Sequence, residues 1–425
     1  MNYERIDSCR ICGSTSLTDL FSFPEQFLSP TFVESNEGND LANVKIPLTL
    51  AICDVHKNPQ GCGLVQLRET TRHDLLYANY FYRSATNATM RRDLKDVVDD
   101  VLNHAKPAPG EVVVDIGSND GTMLSYFPSD LIRIGVEPAK NIFWDGLDPS
   151  IRVVNDYFSE RALRKTLNGK RVKIFTACAM FYDLDAPNTF VAEIKSMLDS
   201  KGIFCIQLSY LVSMLKNMNF YDICHEHLEY YSLTTLNMLM ERHGLTIFDA
   251  ETNAVNGGSA RVFVAHKDHP PEKSQRYQEL LKEERRMHLF DAETYNVFYE
   301  KIVKLAATVK RYLLNEIKQS KMAIGLGAST KGNVLLQLFG IDKTILPYIS
   351  EINPEKIGKR TLGTDIELIS DARALELRPS VKLVLPWYFK EEIVKREEPY
   401  LAQAGKLLFP MPYAHLVSKT GEEHL

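Results

Sequence analysis

One segment limits the fold more than any other: Glu111-Val-Val-Val-Asp-Ile-Gly-Ser-Asn-Asp-Gly121. An apolar, strand-like run enters a tight turn, and Gly117 and Gly121 let a ligand approach the backbone closely. A helix is expected over residues 123–127. Further strand-like runs at 132–136, 151–154, 173–176, 203–208 and 261–265 alternate with helical stretches. Strands separated by helices imply a mostly parallel sheet, hence an α/β class. Residues 321–412 repeat the pattern, with strands expected at 322–326, 345–349 and 381–385 and a helix at 331–339. A chain of 425 residues is too long for one ordinary core. We divide it into 1–68, 69–266 and 267–425. The charged run through 270–320 reads as a helical connector with a solvated face.

The turn also hints at its ligand. Asp115 and Asp120 would repel a pyrophosphate and suit a cationic or zwitterionic ligand. The next strand ends in Glu137, about 20 residues on, where an acid accepts hydrogen bonds from ribose hydroxyls. S-adenosylmethionine, with a sulfonium, an amino acid tail and a ribose, fits this order. Asp115, Gly117, Ser118, Asn119, Gly121, Glu137, Pro138 and Cys178 are the expected cofactor-binding residues.

The N-terminal 68 residues read as irregular and hold four of the seven cysteines. Cys9 and Cys12 form a C-x2-C knuckle, and Cys53 and Cys62 enclose an eight-residue insertion. The N-terminus lacks a signal pattern, so a reducing cytosol is expected and disulfides are not. A closed tetrahedral zinc site is the alternative, and glycine follows both Cys12 and Cys62 as knuckle turns require. His56, at C-x2-H spacing from Cys53, is a rival fourth ligand. Cys205 and Cys224, like Cys178, sit in apolar or strand contexts typical of core thiols. The net charge of −5 gives no basic field, so neither nucleic acid nor membrane is an expected partner. Oligomeric state is not legible.

These pieces, taken together, resemble the three-domain sugar C-methyltransferases of deoxysugar pathways. The matching blocks are Cys9-Arg-Ile-Cys-Gly, Cys62-Gly-Leu-Val-Gln-Leu, Tyr80-Phe-Tyr-Arg-Ser, Val114-Asp-Ile-Gly-Ser-Asn-Asp-Gly and Phe220-Tyr-Asp-Ile-Cys-His-Glu-His. Asn256-Gly-Gly-Ser-Ala-Arg, Gly325-Leu-Gly-Ala-Ser-Thr-Lys-Gly and Ser350-Glu-Ile-Asn-Pro-Glu complete them. The resemblance implies a structural zinc, S-adenosylmethionine in a Rossmann-like middle domain, and a nucleotide-linked 4-keto-deoxysugar between the middle domain and a second Rossmann-like domain. The chain has Cys224 where the family often has Tyr, and Phe181-Tyr182 where a His is usual.

Carbon methylation needs an enolate, and a base must remove a proton next to the ketone. His suits that task near neutral pH. In an extended loop His225 and His227 would face one side and Glu226 the other. The resemblance favours His227 as base with Glu226 as its helper, and His225 is kept as a catalytic candidate. Tyr80, Tyr82 or Tyr182 could donate to the enolate oxygen, with Tyr82 also a substrate contact. Ser329 and Lys331 at a glycine turn, and Arg261, are candidates for the substrate's diphosphate. Two other readings stand beside this one: O- or N-methylation of a nucleotide-sugar, and an NAD-dependent enzyme using Gly325-x-Gly327.

Overall fold

The computed structural model describes residues 2–76, 84, 88–142, 144 and 146–425, without the side chains of 73 and 74. Tyr80 and Tyr82 lie outside this set.

The apolar runs of the middle of the chain form one seven-stranded sheet. Its order is Leu245–Asn253, Ser259–His266, Leu198–Ser209, Val172–Cys178, Val112–Ile116, Ile132–Val136, Arg152–Val154. The last five are parallel, while Ser259–His266 and Leu245–Asn253 run antiparallel at one edge. Every residue of Val112–Ile116 is buried, as a parallel strand covered on both faces requires. One cover is helix Ala88–Ala105, whose Leu94, Val97, Val98 and Val101 pack on Val113, Ile174, Cys205 and Phe263. Leu245–Asn253 was not expected from the sequence. It is an edge strand carrying Thr246, Asp249 and Glu251, so its apolar signal is weak. The expected helix after the glycine turn is only a short 3-10 turn, Leu124–Tyr126.

The C-terminal sheet has nine strands. A parallel core of Lys406–Phe409, Val381–Val384, Ala323–Leu326, Tyr348–Glu351 and Glu367–Ser370 makes it a second Rossmann-like unit. The strand expected at 345–349 starts three residues later.

Residues 1–68 are not irregular. Leu17–Phe27, Lys45–Cys53 and Val65–Leu67 form an antiparallel sheet. Ile46-Pro-Leu-Thr-Leu-Ala-Ile52 is buried almost throughout, so it lacks the period-two alternation that marks a strand. This small sheet is completed by Glu229–Tyr230 from the middle of the chain. Phe32–Val33 in turn pairs with Arg360–Thr361 of the C-terminal sheet. Backbone exchange thus stitches the three parts together. The connector is two helices, Gln275–Arg286 and Ala292–Lys318. Its charge is not all solvated: buried Glu284 accepts hydrogen bonds from Tyr210 Oη at 2.8 Å and Thr234 N at 3.0 Å. Among the described residues no helix is long and apolar enough to cross a membrane.

Candidate active site

The four N-terminal cysteines converge. Their sulfurs lie within 4.8 Å of one another, with Cys9 Sγ 3.5 Å from Cys62 Sγ and Cys12 Sγ 3.4 Å from Cys53 Sγ. Four sulfurs at about 2.3 Å from a tetrahedral zinc stand about 3.8 Å apart, so the set fits the ion. Gly13 and Gly63 have φ of 73° and 75°, which a side chain disfavours. The insertion between Cys53 and Cys62 loops outward. His56 at its tip is exposed and bonds Asp291 at 2.9 Å, away from the sulfurs. Hydrogen bonds from Cys62 and Cys9 pull the Cys53 thiol down to about 2, while bonding to Cys53 pushes Cys9 up to about 12 and Cys62 up as well. One thiolate therefore accepts hydrogen bonds from its neighbours' thiols.

At the glycine turn, Gly117 and Gly121 have φ of 71° and 76°. Gly117 N and Ser118 N both donate to Val136 O, which binds the turn to the next strand. Glu137 spreads its carboxylate over the same turn, accepting from Asn119 N and Ala139 N at 2.9 Å each. Pro138 follows, half-buried. Buried Asp115 accepts from Thr176 Oγ1 at 2.8 Å. Desolvation, with some repulsion from Glu137, pushes its carboxyl up to about 8. Ser118 Oγ is buried without a partner among the described residues. Two neighbouring acids and an orphaned hydroxyl beside the glycine turn fit a ligand with cationic and hydroxyl groups. Cys178 ends its strand opposite Gln207, and burial raises its thiol.

The His-Glu-His segment is not extended. Cys224–Glu226 forms a turn closed by His227 N to Cys224 O at 3.2 Å. The turn splits the two imidazoles, contrary to the expectation that they share a side. His225 is buried against Ser29 of the N-terminal module, its Nδ1 3.4 Å from Ser29 Oγ. It thereby stays away from the small void beside His227, a correction to its candidacy. His227 Nδ1 lies 2.8 Å from Asp222 O. A carbonyl only accepts, so Nδ1 carries the proton and Nε2 keeps the lone pair. Burial, aided by the Lys331 charge, lowers the His227 imidazole to about 3. Tyr182 packs on it with ring centroids 4.2 Å apart, and a small void beside them is lined by Tyr210, Asp222, Glu229 and Tyr230. Glu226 is half-buried, and desolvation raises its carboxyl to about 7. Asp183 and Glu229 stand close by, both driven well up by burial and by neighbouring carboxylates.

The substrate-anchor candidates fare unequally. Arg261 is a correction: it is buried on Ser259–His266, the strand next to the sheet edge, and bound to Asp93, Asp100 and Glu251, so its charge is spent beneath helix Ala88–Ala105. Ser329 Oγ caps helix Thr330–Leu338 by accepting from Gly332 N at 3.0 Å. Lys331 Nζ lies 2.7 Å from Asp222 Oδ1. Glu351 ends the second strand of the C-terminal domain. Its oxygens accept from Ala328 N, Ile352 N and Asn353 N at 2.8–2.9 Å. Asp222 and Asp183 were missed from the sequence: each lies inside or beside a motif, but no spacing marks it as near His227.

Comparison with known proteins gives three adjoining family matches. Residues 9–77 match the family described as "Putative zinc binding domain", 86–250 a methyltransferase domain, and 254–412 a C-methyltransferase C-terminal domain. The C-methyltransferase NovU of Streptomyces niveus is 28% identical over 419 residues, covering 97% of each chain. Among solved structures, an S-adenosylmethionine-dependent methyltransferase from Clostridium acetobutylicum aligns at 10% identity and TM-score 0.32, over 41% of this chain and 92% of its own. The 1,6-didemethyltoxoflavin-N1-methyltransferase of Burkholderia thailandensis aligns at 17% and 0.33, over 43% and 80%.

Proposed function

We propose that this S-adenosylmethionine-dependent methyltransferase, which joins a zinc-binding, a methyltransferase and a C-methyltransferase C-terminal domain, methylates carbon in a nucleotide-linked 4-keto-deoxysugar. In this reading residues 1–68 form the zinc module, 69–266 hold the methyl donor, and 267–425 seat the nucleotide end of the substrate. The observation that carries it is the fixed tautomer of His227, a buried neutral imidazole with its lone pair free at Nε2. That nitrogen takes a proton from the carbon next to the ketone, leaving an enolate. S-adenosylmethionine, when bound, supplies the electrophilic methyl group. Tyr182 packs on the imidazole and fixes its plane. Glu226 in its ionised form stabilises the imidazolium that forms. The similarity to the C-methyltransferase NovU supports carbon as the methyl acceptor.

Deuterium exchange into the substrate beside its ketone tests this reading, because O- or N-methylation needs no C–H cleavage. Wild-type enzyme should exchange with a thymidine diphosphate 4-keto-6-deoxysugar, and no exchange across a panel of such sugars would overturn the proposal. The pH profile has a definite sign. Glu226 loses its proton only near 7, whereas His227 is already neutral above about 3. Exchange should therefore rise from pH 6 to pH 8, and Glu226→Gln should flatten that rise. A profile unchanged by the substitution removes Glu226 from the mechanism.

Asp115 is the group we assign to the cationic part of the methyl donor. Asp115→Asn should weaken S-adenosylmethionine binding by about tenfold, the equivalent of one charge-assisted contact. Calorimetry at pH 8 reads the effect, and unaltered affinity would refute the assignment.

A further inference from the structure

The boundary between the middle and C-terminal domains meets the base at one residue. Asp222 ends the 3-10 turn Phe220–Asp222 and is 2% exposed. Its main-chain carbonyl accepts His227 Nδ1–H at 2.8 Å, and its carboxylate lies 2.7 Å from Lys331 Nζ. Lys331 belongs to the first turn of helix Thr330–Leu338, at the glycine turn of the C-terminal domain. Its ammonium also donates to Asn256 O at 3.2 Å and stands over the rings of Tyr221 and Tyr388, 5.1 and 5.6 Å from their centroids. Tyr221 Oη in turn accepts from Trp387 Nε1 at 2.5 Å. Aromatic faces from both domains thus enclose a single ion pair.

We propose that Asp222 is a positioning residue that couples the base to the C-terminal domain. Its carbonyl sets the His227 tautomer, and its carboxylate, through Lys331, fixes the base-bearing turn against the helix beside the substrate's nucleotide end. The inference rests on His227 being the base. It also changes the role of Lys331, which the sequence marks as a diphosphate anchor. The Asp222 carboxylate is buried and the Lys331 ammonium largely shielded, so removing the ammonium leaves a buried charge uncompensated. The pair is therefore rigid enough to register one domain on the other, and the base is aimed only while the domains are engaged.

The test is a double-mutant cycle of Asp222→Asn and Lys331→Met in the full chain, with rates scaled to S-adenosylmethionine-binding sites so that misfolded protein is not counted. Asn at 222 keeps the main-chain carbonyl and removes only the charge. Each single variant should lower kcat on the order of tenfold to a hundredfold, as small misplacements of a reacting group do, with KM for the nucleotide-sugar little changed. The double variant should be no slower than the worse single one, because both changes break one unit. Asp222→Glu should restore part of kcat. Three results overturn the proposal: full kcat in Asp222→Asn, multiplicative losses in the double variant, or a raised KM with kcat retained in Lys331→Met. The last would make Lys331 the phosphate anchor. A wild-type enzyme that does not exchange would instead sink the base assignment, so the two failures are distinguishable.

Discussion

His227→Ala is expected to lower deuterium exchange and methyl transfer by about 10²–10⁴-fold, the usual contribution of a positioned general base. S-adenosylmethionine affinity should be retained, because the glycine turn at Gly117–Gly121 belongs to a different strand end. The size of the loss follows from geometry. His227 is nearly buried and its Nδ1–H is held by Asp222 O. Truncation leaves a void flanked by Tyr182, Tyr210 and Tyr230, whose phenols are poor bases at neutral pH. His225 cannot take over, since the turn at Cys224–Glu226 holds it against Ser29. Exchange in His227→Ala within tenfold of wild type would remove it as the base. A His225→Ala variant with intact exchange would confirm that the two imidazoles have separate tasks.

Removing zinc should have the other large effect, on stability. The metal assay should read about one zinc per chain, the stoichiometry of a closed four-thiolate site. Structural zinc contributes on the order of 10 kcal/mol in small zinc modules, where metal binding and folding are one equilibrium. Cys53→Ser or strong chelation should therefore unfold residues 9–67. The damage should spread, because Val65–Leu67 pairs with Glu229–Tyr230 two residues past His227, and Phe32–Val33 pairs with Arg360–Thr361. We expect a chelated enzyme to lose exchange activity together with the stability of its C-terminal sheet, read by amide hydrogen exchange. A metal-free chain with an unchanged urea midpoint would refute the staple.

The two glycine turns show how far local sequence carries. In each, a strand, a turn and a second strand were legible, and Glu137, the acid ending the second strand of the first, was expected to face ribose. In the fold Glu137 and Glu351 instead brace their own turns through main-chain amides. Spacing along a strand says where an acid lies, but not which amides the next loop turns toward it.

Sequence alone determined the elements whose cause is local. Buried parallel strands are continuous apolar runs, glycine marks positive φ, and a C-x2-C knuckle already brings two thiolates to one side. The eight-residue insertion stretched the second cysteine pair without hiding it, and Cys53 and Cys62 reach the site because the loop folds outward. Tertiary structure decided everything that depends on which face meets which. It turned Arg261 into a buried partner of three carboxylates and set His225 against Ser29. It also brought Asp222 between His227 and Lys331, a residue more than 100 positions away. Charge and hydrogen-bonding capacity are properties of a residue, but whether they remain free for a substrate depends on neighbours that only the packed chain supplies.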